Sequence, residues 1–325
     1  MFGTFRSTSS RTMLSQHAVE IAHSHPCVSA TSERNAQFTT PGKGQRLLLG
    51  LIFSSMIALL ARRRRSLTRS GAGGTIAVGT TIFGMGGWSW GLSLVYFFVS
   101  STLFSHYRER EKARAVADKF SKGSERDIGQ VAANGGLATL LALAYGLTGS
   151  LPFRKLLQAG FTGAMATATA DTWATELGVL SQQEPRLITT GKRVVPGTSG
   201  GITPLGTAAS ALGAFSLGAV FWGLQRFSKS LVSLPFVALV SGLAGSFFDS
   251  LLGATVQAMY YCPVCEKETE QRTHRCGTKT TPLRGIPWVD NDVVNFLATM
   301  CGALVAMGMN RMMNANPPNN KGLQS

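Results

Sequence analysis

Acidic residues are scarce in this chain: 16 Asp and Glu stand among 325 residues, against 31 Lys and Arg. Long stretches lack basic residues as well. No Lys or Arg occurs in 47–61, 72–107, 127–153, 156–185, 194–225, 230–266 or 285–310. A soluble helix shows a charged face every turn, so such tracts exclude an ordinary soluble bundle. They fit bilayer-crossing helices, which need about 20 apolar residues. Overall composition, 44% apolar with a mean hydropathy of +0.13, would suit either class. No secretory signal opens the chain, and no G-x-x-x-x-G-K-[ST] phosphate loop is present.

The net charge of +15 raises the question of nucleic acid. The cations instead flank the apolar tracts: "RRRRSLTR" fills 62–69, and seven more basic residues fall within 106–130. Lys and Arg at span ends set orientation by the positive-inside rule, so the expected partner is the lipid bilayer and no nucleic acid. Threaded by that rule, the chain predicts an all-α, multi-pass transmembrane helical bundle of about eight spans. The spans are 47–61, a tight helical hairpin over 72–105 broken at "GMGGW" (84–88), and 131–149, 157–181, 205–225, 231–257 and 293–310. Loops 62–70, 106–130, 182–204 and 258–292 then share one face, with 20 basic residues against 11 on the other.

Three regions follow: residues 1–46, a membrane domain over 47–310, and a polar tail over 311–325. Residues 1–46 hold 13 Ser/Thr, five Lys/Arg and two acids, a composition shared by disordered tails and organellar transit segments. An endoplasmic-reticulum or organellar (plastid or mitochondrial) membrane is the expected location.

Within the spans only Asp171, Glu176 and Asp249 are acidic, with Asp290 and Asp292 at the lip of the last. A carboxylate in hydrocarbon costs about 2.5–3.5 kcal/mol, so it must face protein, water or a cation. In "SGLAGSFFDSLLGA" (241–254) the small residues Gly242, Gly245, Ser246 and Gly253 share a face with Asp249 and permit close approach to the helix bearing Asp171. The structural alternative is that each acid is tied to a neighbouring helix and only holds the bundle together.

The loop "GKRVVPGTSGGITPLG" (191–206) adds phosphate-binding features. Gly197, Gly200 and Gly201 let backbone N–H groups converge on an anion, and Lys192 and Arg193 supply charge. Thr203 reads as a helix N-cap followed by Pro204, which points a positive helix end into the loop. An ordinary Gly-rich connection with snorkelling cations is the plain alternative. Carboxylates opposite a phosphate loop imply a bridging divalent ion: Asp171, Asp249 and Asp292 as ligands for Mg²⁺, with Asn134 and Asn291 as further polar groups at span ends.

Six blocks in order, "FFVSSTLF" (97–104), "QVAANGG" (130–136), "ADTWATELG" (170–178), "PRLITTGKRVVPGTSGGITPLG" (185–206), "FFDSLLGATVQ" (247–257) and "GIPWVDNDVVNF" (285–296), resemble the transmembrane protein 19 family. That integral-membrane family, long catalogued as a domain of unknown function, includes plant phytyl-phosphate kinases and is similar to the CTP-using dolichol and phytol kinases. The resemblance implies phosphorylation of an isoprenoid phosphate by a nucleoside triphosphate, CTP or ATP. It marks Asp171, Glu176, Lys192, Arg193, Gly200, Asp249 and Asn291 as site residues, with Asp171, Glu176 and Asp249 catalytic. A cation- or proton-coupled transporter and a non-catalytic membrane scaffold are the rival readings.

Outside those blocks, "YYCPVCEKETEQRTHRC" sets Cys262, Cys265, His274 and Cys276 as C-x₂-C-x₈-H-x-C. The first pair has zinc-knuckle spacing and the H-x-C pair does not, so a structural zinc, free thiols and a Cys262–Cys265 bridge all remain open. Cys27 and Cys301 read as incidental.

Overall fold

A computed structural model of the protein describes residues 42–116, 125–225 and 233–315. Several helices begin where the sequence supplies caps. Thr68, Asp127 and Thr203 each accept a backbone N–H three residues on, from Gly71 (3.1 Å), Gln130 (2.9 Å) and Gly206 (3.0 Å). Asp127 and Gln130 close a reciprocal capping box, because the Gln130 side chain accepts from the Asp127 N–H at 3.2 Å. The helices are α1 (Lys43–Arg63), α2 (Arg69–Thr81), α3 (Trp88–His106), α4 (Glu109–Val116), α5 (Ile128–Leu147), α6 (Leu151–Gly178), α7 (Pro204–Leu224), α8 (Leu234–Thr255) and α9 (Asn291–Ala315). The readings of 1–46 and 311–325 as tails fall largely outside the described residues; α1 already starts at Lys43 and α9 runs to Ala315.

The break expected at 84–88 is a π-helical turn, Ile82–Gly86, followed by Gly87 at φ +92°, which reverses the chain from α2 into α3. Such a φ suits glycine alone at little cost. Five of the described helices, α1, α5, α7, α8 and α9, are long and apolar enough to cross a membrane. Helix α6 carries Arg154, Lys155, Asp171 and Glu176 and is less apolar. It can be so because α3, α5, α7, α8 and α9 surround it, and Ala159 through Ala170 are all buried.

Expecting an all-α chain needs one correction. The protein is mostly helical, but five short strands stiffen its loops: β1 (Arg186–Leu187), β2 (Gly201–Ile202), β3 (Met259–Cys262), β4 (Lys267–Thr269) and β5 (Thr281–Arg284). β1 pairs antiparallel with β2, and β3 lies between β4 and β5. Segments of two to four residues carry too little period-2 patterning to be read in advance.

The two ends of the bundle differ. At one end a buried aromatic cluster closes the interior, with Trp90 4.1 Å from Phe161 and 4.7 Å from Tyr145, and Phe161 5.6 Å from Phe221, between ring centroids. The other end gathers the elaborated loops. Arg126 N donates to Ser66 O and Thr68 N to Arg126 O, both at 3.0 Å. Lys112 meets Glu176, and Ser199 meets Gln257. Described residues of the four loops assigned to one face therefore lie together.

Candidate active site

Small residues bring α6 and α8 together. A Cβ at Gly245 would strike the Thr167 side chain, and one at Gly242 would strike the Ala214 side chain of α7 and press on the Ala166 backbone. Thr167 Oγ1 donates to the Ser241 carbonyl at 3.3 Å, a contact only closely packed helices make. Asp171 and Asp249 consequently line one cavity, of about 560 Å³, within electrostatic reach of each other. Asp249 Oδ2 is buried without a hydrogen-bond partner among the described residues. A carboxylate oxygen in that position calls for a cation or a proton.

Glu176 lines the same cavity but is already engaged. Ser105 Oγ donates to it at 2.6 Å and Lys112 Nζ at 2.5 Å. The buried Lys112 ammonium also donates to the carbonyls of Phe104 (2.6 Å) and Ser105 (2.8 Å), which pins α4 to one wall.

The Gly-rich loop forms the facing wall. Gly200, at φ +83°, lies so close to α8 that a Cβ there would run into the Ala254 backbone. Ser199 Oγ donates to Gln257 Oε1 at 2.7 Å. Gly197, Gly200, Gly201 and Thr203 line the cavity, and so do Gly206 and Thr207 in the first turn of α7, whose positive helix end faces it. Lys192 and Arg193 do not. They are exposed at the outer tip of the β1 hairpin, where Arg193 pairs with Glu184 at 3.5 Å. Gly191, at φ +67°, and the Arg186–Arg193 bridge turn that tip away. The cations that do line the cavity are Lys112, Arg126 and Arg275.

Asn134, Asn291 and Asn295 also reach the cavity, whereas Asp292 is not among its lining residues. Asp290 Oδ1 accepts from Val293 N at 3.1 Å and so acts as a cap for α9.

Sequence reasoning passed over Arg126 and Gln257. Arg126 sits just before the α5 capping box, with its guanidinium 5.7 Å from the ring centroids of both Phe97 and Phe98. Burial lowers its pKa, and the charge of Glu176 raises it. Its neighbour "DIGQ" is the readable signal, since a helix start marked there leaves Arg126 at the mouth. Gln257 is 2% exposed and donates to Glu270 Oε1 at 2.9 Å, joining the Gly-rich loop to the β3–β5 hairpin.

In that hairpin Cys262, Cys265, His274 and Cys276 offer ligand atoms that all lie within 4.8 Å of one another. The cluster could hold a metal ion. Cys262 Sγ and Cys276 Sγ are 3.7 Å apart, His274 Nδ1 is 3.1 Å from Cys276 Sγ, and the cysteines are free. Hydrogen bonds from Thr278 and then His274 lower the Cys276 thiol to about 6. Bonding to Cys276 pushes Cys265 up to about 11. Arg284 anchors the hairpin by donating to the last carbonyls of α8, Gly253 O and Ala254 O, both at 3.0 Å.

A helical membrane protein with a polar, acid-lined cavity at one end of its bundle is the class these features define. The chain belongs to the family described as integral membrane protein DUF92, whose pattern matches residues 52–303. It is 35% identical over 274 residues to Protein PGR of Arabidopsis thaliana, covering 78% of this chain and 93% of the relative. An uncharacterized membrane protein of Methanocaldococcus jannaschii is 29% identical over 263 residues, 81% of this chain and 93% of that one. Protein VTE6, chloroplastic, of Arabidopsis thaliana is 26% identical over 253 residues, 77% of this chain and 67% of that one. No solved structure matches the chain. The protein is thus an integral, multi-pass membrane protein in contact with the bilayer.

Proposed function

We propose that the protein is a membrane-embedded kinase that transfers a phosphoryl group from a nucleoside triphosphate to an isoprenoid phosphate at one membrane face. One observation carries the reading: two carboxylates from glycine-packed helices, one with a buried unpartnered oxygen, share a cavity with a Gly-rich loop and a helix N-terminus. Asp171 and Asp249 are the residues that would hold Mg²⁺, which when bound neutralises charge developing on the transferred phosphoryl group. The loop 196–203 binds nucleotide phosphates through backbone N–H groups, with the positive end of α7 facing them. Glu176, held by Lys112 and Ser105, positions α4. An oxygen of the acceptor phosphate forms the new bond to the γ-phosphorus as the bond to the leaving nucleoside diphosphate breaks. The acceptor is already an anion, so positioning and charge neutralisation carry the catalysis. The family resembled by the six sequence blocks, with its phytyl-phosphate kinases, supports this acceptor class.

Purified protein should transfer label from CTP or ATP to farnesyl, geranylgeranyl or phytyl phosphate in a Mg²⁺-dependent reaction. No transfer from either nucleotide to any of the three sinks the reading. A transporter needs a site reachable from both faces. The aromatic cluster around Trp90 and Phe161 argues against that route.

The bundle crosses the membrane about eight times, α2 with its π turn, α3 and α6 joining the five apolar helices. The membrane is the endoplasmic reticulum or an organellar one, in keeping with the chloroplastic relative. Cys262, Cys265, His274 and Cys276 are the residues that would hold one structural zinc. The 3.7 Å sulfur separation is close to the ~3.8 Å edge of a tetrahedron with Zn–S bonds of ~2.3 Å, and His274 Nε2 is buried without a partner among the described residues.

A further inference from the structure

The Cys/His hairpin stands at the rim of the acid-lined cavity, not apart from it. Glu270 and Arg275, both from its outer loop, are among the residues that line the cavity. Arg275 lies between His274 and Cys276, whose ligand atoms both belong to the metal-competent cluster. It sits in a tight turn: Gly277 N donates to the His274 carbonyl at 2.8 Å, and His274 N to that of Thr278 at 2.9 Å. Gly277, at φ +84°, permits that turn.

At its base the hairpin is tied to the bundle, through Ala258 N donating to Val289 O at 2.8 Å and Arg284 donating to the end of α8. Gln257 bonds both Ser199 of the Gly-rich loop and Glu270 of the hairpin, so loop and hairpin are neighbours on the cavity wall. Further out, the cluster joins two arms: Cys262 and Cys265 come from the end of β3 and the turn after it, His274 and Cys276 from the 270–280 loop. A metal ion at these four residues would cross-link the arms and fix the backbone on both sides of Arg275.

Lys112, another cation of the cavity, is engaged by Glu176. The exposed Arg275 guanidinium makes no hydrogen bond or ion pair among the described residues. Its fork of N–H donors matches phosphate oxygens two at a time. A nucleoside triphosphate carrying one Mg²⁺ keeps net negative charge, which a cation beside the Gly-rich loop can meet.

We infer that Arg275 binds the phosphates of the nucleotide, and that a zinc ion held by Cys262, Cys265, His274 and Cys276 sets the position from which it does so. The inference rests on the kinase reading for the identity of the phosphorylated ligand. It gives the hairpin a share in ligand binding, beyond the staple that its cysteine spacing suggests.

The test is calorimetric binding of CTP and ATP with Mg²⁺ to the full-length, zinc-loaded protein in detergent, with phytyl monophosphate as a second probe. Arg275→Gln should keep its zinc by elemental analysis and weaken nucleotide binding by about tenfold, the worth of a charge-assisted contact. Arg275→Lys should retain part of the affinity, and both variants should bind phytyl monophosphate within about twofold of wild type. Removing zinc with a zinc-selective chelator, in excess Mg²⁺, should lower the nucleotide affinity of the wild type about as far and that of Arg275→Gln little further; added zinc should restore the wild type. Should the stripped protein unfold, Co²⁺ in place of zinc decides the link: its visible absorption should change on nucleotide binding in the wild type and not in Arg275→Gln.

Wild-type nucleotide affinity in Arg275→Gln, a loss confined to phytyl monophosphate, or a protein that binds no zinc overturns the assignment. So does zinc removal that weakens Arg275→Gln as much as the wild type, or a Co²⁺ spectrum indifferent to nucleotide. Failure here separates from failure of the kinase reading. Nucleotide binding that needs Arg275 and zinc in a protein without transfer activity keeps this site and removes the kinase. Transfer activity with unaltered nucleotide affinity in Arg275→Gln does the reverse.

Discussion

Asp249 and Asp171 were conspicuous as residues because acid in a hydrocarbon setting is expensive, and the fold gives both the same outlet. Asp249→Asn keeps the volume and removes the charge. It should lower phosphoryl transfer by about 10²- to 10³-fold or more while leaving thermal unfolding in detergent nearly unchanged. Glu176 should behave differently, since its partner Lys112 is buried. Lys112→Met leaves a carboxylate unpaired in a confined site and should cost about 3 kcal/mol of stability. The double variant Lys112→Met/Glu176→Gln should recover part of that loss, as a double-mutant cycle by calorimetry can determine. The positions of Lys192 and Arg193 were beyond the sequence for a physical reason. Loop composition gives charge and flexibility but not which way a hairpin tip faces, and a turn at Gly191 decided it. Arg126 was hidden by the opposite effect, one more cation among many whose placement is ordinary for topology.

At the scale of elements, the helix start at Thr203 and the reversal near Gly87 were legible because caps and left-handed glycines are local chemistry. The glycine stripe on α8 was legible too, since period alone places Gly242, Gly245 and Asp249 on one face. What it packs against depends on the whole bundle. Gly245→Val should wedge α6 from α8 through Thr167 and cost about 1–3 kcal/mol, seen as a lowered unfolding temperature and loss of transfer activity together. The short strands around 186–202 and 259–284 left no pattern to read, yet they hold Ser199, Gln257 and Glu270 in one chain of contacts. If zinc organises that hairpin, purified protein should carry one zinc per chain by elemental analysis, and Cys276→Ser should lose it. A protein with no zinc, and with unchanged nucleotide affinity in Cys276→Ser, contradicts the assignment.

For the whole molecule, asymmetry between the two ends is the property that matters. One end is closed by aromatic rings, and the other concentrates loops, cations and the acid-lined cavity. The charge bias in the sequence assigns the loop-bearing end to one face of the membrane, because orientation is set by where Lys and Arg are left. An impermeant amine-reactive reagent added to sealed vesicles should label Lys192 and Lys279 from one side and Lys43 and Lys155 only from the other; labelling of all four together would refute the threading. The proposal at this scale is that the acids hold a divalent ion shared with nucleotide phosphates. Electron paramagnetic resonance of Mn²⁺ with the purified protein measures this most directly. A single bound Mn²⁺ whose affinity rises on adding nucleoside triphosphate, and which is lost in both Asp171→Asn and Asp249→Asn, is the expected result; Mn²⁺ binding that is indifferent to nucleotide, or unchanged in Asp249→Asn, would contradict it.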